Sequence, residues 1–146
     1  MTARTAVVFA ALVAFAASAR GDELTPAILD PVLAIQAALA KDSMTGVQSN
    51  AAAIDEQATK LGAPAAKVAA AARELKSAAK LPDARTAFGT LSDALVAYID
   101  AQKLTLDPRI HVASCPMANK PWLQAGDTIA NPYYGSEMPT CGSLKK

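Results

Sequence analysis

The alanine-rich stretch from Thr25 to about Leu104 constrains this chain most, because its larger apolar residues recur at spacings of three and four. That is the period of a helix with one buried face, not of a strand. Thr25-Pro26 and Asp30-Pro31 are both N-cap–Pro signals, so a first helix begins at one or the other and runs to about Lys41, burying Val32, Ile35 and Leu39. Ser43 is placed to cap a second helix carrying Met44, Val47, Ala51, Ile54, Ala58 and Leu61, with Gly62 as its stop. Pro64 opens a third with Val68, Ala72, Leu75 and Ala79, and Leu81-Pro82 ends it. Asp83 is placed to cap a fourth, with Phe88, Leu91, Leu95, Tyr98 and Gln102 on its inner stripe.

The predicted helices are therefore 26–41, 43–61, 64–81 and 83–104, joined by short connections. Four such helices argue for an antiparallel, up-and-down bundle. The expected fold class is all-α: a four-helix bundle with an irregular C-terminal segment, 105–146, packed on it. Alanine allows close helix approach but buries little area, so the core is thin for its length.

After Leu104 the texture changes. Five of the nine prolines, both cysteines, Trp122, Tyr133 and Tyr134 lie in the last 40 residues. Ile110 and Val112 alternate with polar neighbours, which allows one short strand. Turns are expected at Gln124-Ala125-Gly126-Asp127 and Tyr134-Gly135-Ser136. A segment this rich in large apolar side chains is not a disordered tail, and it is expected to fold back over the helices.

The N-terminus reads as an export signal occupying residues 1–19. Arg4 supplies a positive charge, Ala6–Ala17 is an unbroken apolar run, and Ala17-Ser18-Ala19 is a small-x-small cleavage site. The run is too short for a membrane-spanning helix, which needs about 20 residues. Cleavage leaves residues 20–146 as one domain, periplasmic or secreted, with Lys+Arg and Asp+Glu equal at 13. A neutral chain without a basic stripe points away from nucleic acid and anionic membrane surfaces. One histidine and no Gly-rich phosphate loop point away from an enzyme.

The chemistry lies in two short sulfur motifs, Cys115-Pro116-Met117 and Met138-Pro139-Thr140-Cys141. If the tail doubles back, two thiols and two thioethers converge, and soft donors of this kind suit copper(I) or silver. Cys115, Met117, Met138 and Cys141 are the candidate metal ligands. His111, on the strand before Cys115, and Met44, at the start of the second helix, could each add one. The alternative is a Cys115–Cys141 disulfide, which outside the cytoplasm is the default for an even cysteine count. Closing that loop stabilises the fold by about 3.5 kcal/mol on the chain-entropy account. Such a disulfide-stapled chain would be an interaction module without metal.

The pattern Arg85-x-x-Phe88-x-x-Leu91-Ser92-x-x-Leu95, then Cys115-Pro116-Met117-Ala118, Trp122-Leu123, Ile129-x-Asn131-Pro132-Tyr133-Tyr134-Gly135 and Met138-x-x-Cys141-Gly142, resembles a bacterial periplasmic domain of unknown function. That domain occurs alone or fused to adaptor (membrane fusion) subunits of copper and silver efflux pumps. The similarity spans about residues 28–143 and is strongest in the last 30. It implies a periplasmic helical bundle in copper handling, with an efflux adaptor or another periplasmic protein as partner. Many relatives carry a histidine just before the Cys-Pro-Met; here that place is Ser114, which leaves the sulfurs as the better-supported donors.

Overall fold

Four helices form along residues 26–102: α1 (Pro26–Ala40), α2 (Val47–Lys60), α3 (Ala66–Ser77) and α4 (Leu81–Gln102). The computed structural model describes residues 22–145, so the proposed signal segment 1–19 lies outside the described residues. Among the described residues no helix is long and apolar enough to cross a membrane.

Of the two N-cap–Pro signals, Thr25-Pro26 starts α1. The Thr25 hydroxyl accepts the Ala27 N–H, and Pro31 is carried inside the helix. Ser43 does not cap α2; its hydroxyl accepts the Thr45 N–H in a local turn. α2 begins only after Gly46, at φ 74°, so Met44 lies ahead of the helix rather than at its start. A 3₁₀ turn, Ala63–Ala65, holds Pro64 before α3. Leu81-Pro82 opens α4 instead of closing α3, since a proline in a first turn sacrifices only an N–H that has no helical partner there. Asp83 then falls within the first turn, not at the cap.

The expected all-α class is overturned. The segment after α4 contains a three-stranded antiparallel sheet: β1 (Ile110–Cys115), β2 (Lys120–Ala125) and β3 (Ser143–Leu144), in the order β2-β1-β3. β1 and β2 form a hairpin from Ile110↔Ala125 to Cys115↔Lys120, closed by Pro116–Asn119 with Asn119 at φ 50°. β3 returns from the far end of the tail to pair with Ala113 and Ser114. Two features conceal β2 in the sequence. Pro121 cannot donate to a ladder, which its edge position tolerates. Trp122, Leu123 and Gln124 are all buried in succession, so both faces are covered and the alternation that marks a strand is lost.

The sheet also changes the helical part. α1 packs on α2, α2 on α3 and α3 on α4, while β2 packs on both α4 and α1 and fills the side between them. Trp122 is fully buried there, edge-on to Tyr133 at 5.9 Å between ring centroids, and Tyr133 lies 6.0 Å from Phe88 of α4. Strand, tail and helix thus share one aromatic cluster. Burying a side chain of this size is worth roughly 1.5–3 kcal/mol. Gln124, also buried, is fully satisfied: its amide donates to the Gly126 and Thr128 carbonyls, and its oxygen accepts from Trp122 Nε1 and the Ala130 N–H.

Polar ties complete the closure. Arg85 of α4 donates to the Pro132 carbonyl at 3.0 Å, to the Leu39 carbonyl at the end of α1, and to Asp42 at 2.5 Å. The Ser136 hydroxyl and then Arg85 hold the Asp42 carboxyl below the usual carboxylate range. Gln36 of α1 donates to the Ala130 carbonyl. Lys120 of β2 pairs with Asp93 of α4.

Candidate functional site: a thiol pair at the sheet edge

Cys115 ends β1, and Cys141 precedes β3 by two residues, so pairing Ser143 with Ser114 brings the two cysteines side by side. Their sulfurs are 3.1 Å apart, and both are free thiols. The approach depends on Gly142. At φ 144° it passes so close to Trp122 and to the Ser114 carbonyl that a Cβ would stand 2.7 Å from the Trp122 ring. A side chain here would push Cys141 away from Cys115.

Asn131 fixes the other flank. Fully buried, it donates from Nδ2 to the Cys141 carbonyl at 2.7 Å and accepts the Tyr133 and Tyr134 N–H groups on Oδ1. Its own N–H donates to the Pro139 carbonyl. One side chain therefore shapes the turn into Tyr133-Tyr134 and holds the strand that delivers Cys141.

The two thiols are not equivalent. Burial pushes Cys115 up, but hydrogen bonds from Cys141, the Ala118 N–H, the Asn131 side chain and the Met117 N–H outweigh it, and its pKa is lowered. The Ala118 nitrogen is 3.5 Å from the Cys115 sulfur. Cys141 is raised, first because its hydrogen bond to Cys115 holds its proton, then by burial.

The other predicted donors stand at varying remove. Met117 sits on the tip of the hairpin with its side chain 66% exposed, while its backbone N–H faces the sulfurs. Met138 is half-buried, and its carbonyl accepts the Cys141 N–H at 3.2 Å. Met44 packs against the helical core before α2. His111 is four residues along β1 from Cys115, about 13 Å at strand rise, and its Nε2 lies 3.1 Å from Asp127. The structure brings Cys115 and Cys141 together and leaves His111 apart from them. Among the described residues, no third His, Cys, Asp or Glu joins the pair.

Two open clefts flank the tail, and one of them reaches Cys115. One, of about 400 Å³, runs beside Cys115 between Asn119, Lys120, Ser143 and Lys145. The other, of about 440 Å³, lies between α4 and the tail, lined by Arg85, Gly89, Lys120, Tyr133 and Tyr134. Of the cations that line them, Lys120 is paired with Asp93 and Arg85 with Asp42.

Asn131, Gly142 and Arg85 enter the sequence reading only as letters of the resemblance. An Asn-Pro step signals a turn, which was a usable clue to Asn131. Nothing local marks Gly142 or Arg85, whose partners are distant in sequence. No protein-family model, curated protein or solved structure matches the chain.

Proposed function

We propose that this chain is an exported soft-metal binding protein that holds copper(I) or silver through the thiolates of Cys115 and Cys141. The observation that carries the reading is the convergence of two free thiols, with the Cys115 pKa lowered by hydrogen bonds from Cys141 and then from backbone and side-chain N–H groups. Thiolate donors select soft monovalent ions, and a low coordination number suits a pair that, among the described residues, has no further Cys, His or carboxylate beside it. The Met117 and Met138 thioethers are the supporting donors, Met117 free at the hairpin tip to swing over the pair. Handling of copper in the periplasm, with an efflux adaptor as partner, follows from the resemblance and belongs to the same proposal.

Reduced protein, titrated with copper(I) against a competing chelator, should take up the ion at a single site. Replacing Met117 and Met138 with leucine should cost the fold less than about 1.5 kcal/mol, since volume and apolarity are nearly kept. Copper(I) affinity should fall in that variant, most clearly in oxidised protein, where thioethers are the main donors left. No uptake by reduced wild type would end the metal reading.

The 3.1 Å approach of the sulfurs also favours a second reading, a Cys115–Cys141 disulfide that staples an interaction module without metal. That module takes up no copper(I) in either redox state.

A further inference from the structure

We propose that Cys115 and Cys141 form a thiol–disulfide exchange site for small soluble disulfides, entered through Cys141 and resolved by Cys115. It uses the same pair as the metal reading but does not depend on any metal. Two observations carry it: the sulfurs are already 3.1 Å apart, and they differ in access. Cys115 is 1% exposed, whereas Cys141 is only half-buried, two residues ahead of the returning strand β3. An external disulfide therefore meets the Cys141 sulfur first.

The chemistry closes without a further reactant. Cys141, its proton released to solvent, attacks one sulfur of R–S–S–R; that S–S bond breaks, a Cys141–S–S–R bond forms, and RS⁻ leaves and takes up a proton. Cys115, its proton likewise released, then attacks the Cys141 sulfur. The Cys141–SR bond breaks, the Cys115–Cys141 bond forms, and a second RS⁻ departs. Two protein thiols are oxidised and one small disulfide is reduced to two thiols. Reduction retraces the path. An external thiolate attacks Cys141, and Cys115 leaves as a thiolate onto the Ala118 N–H that already points at its sulfur.

Access makes the two cysteines unequal, and that is the test. Metal-free, reduced protein is treated with oxidised glutathione under chelator, quenched with acid and mapped by mass spectrometry. Wild type should end as the internal disulfide, with any early adduct on Cys141. The Cys115→Ala variant should accumulate a lasting glutathione adduct at Cys141, because nothing resolves it. In Cys141→Ala, the remaining Cys115 should react at least about tenfold more slowly. Equal rates in the two single variants, or early adducts on Cys115 in wild type, would overturn the proposal. The early adduct in wild type decides the order of attack even if a variant fails to fold. Copper(I) uptake is scored on separate samples. Protein that binds copper(I) but does not exchange loses only this inference, and protein that exchanges but takes no copper(I) loses only the metal reading.

Discussion

Removing the Asn131 side chain strips partners from three backbone groups at once, the Cys141 carbonyl and the Tyr133 and Tyr134 N–H groups. Each is part-buried, and an unsatisfied buried polar group costs about 1–3 kcal/mol. Asn131→Ala should therefore lose about 3 kcal/mol or more in a urea melt, and its thiols should titrate faster with a disulfide reagent as Cys141 loosens. A loss under about 1 kcal/mol would show that the tail holds its shape without this residue. The approach of Cys115 to Cys141 was legible at this scale, because the two sulfur motifs bracket a tail that had to double back. The side chains that position the two sulfurs were not, because an asparagine in a turn and a glycine after a cysteine acquire their roles only from partners elsewhere in the chain. His111 illustrates the converse: it was a candidate ligand on the strand before Cys115, but strand geometry keeps the two apart and Asp127 lies against the imidazole.

At the scale of elements, the β1–β2 hairpin is the piece that departs most from expectation. Its turn requires Asn119 at φ 50°, a conformation that asparagine and glycine adopt readily and β-branched residues do not. Asn119→Gly should melt within about 0.5 kcal/mol of wild type, the range of an uncomplicated surface change. Asn119→Val should cost about 1–2 kcal/mol. Both are read from chemical denaturation, and equal behaviour of the two would mean that the turn relaxes to another form. The helices were readable because each buries a single stripe, so that Ile28, Ile35, Leu39, Ile54, Leu75, Phe88 and Leu95 fall at helical spacing on core-facing sides. Their boundaries were less so, since Ser43, Asp83 and Leu81-Pro82 each fit two neighbouring roles and packing chose between them. β2 hid because burial on both faces erases alternation, and β3 because two residues carry no period at all.

For the molecule as a whole, the tail is a wall of the core and not a cover laid over it. Truncation after Leu106 removes Trp122, Leu123 and Tyr133 from the side between α4 and α1. At roughly 1.5–3 kcal/mol for each large side chain and about 3–5 °C per kcal/mol for a domain between the 60–100- and 150–250-residue classes, the melting temperature should fall by at least about 12 °C. A truncated protein that melts with the intact one would mean that the helices close on each other unaided. The same arrangement has a consequence for synthesis. A self-sufficient helical bundle could finish folding as soon as its last helix left the ribosome. Here the side of α1 that β2 covers stays open until residues 120–125, some 80 positions downstream of the end of α1, have been made. Contacts that distant in sequence slow folding. Until that strand arrives the seam between α4 and α1 stays open, and completion of the core waits on a single strand.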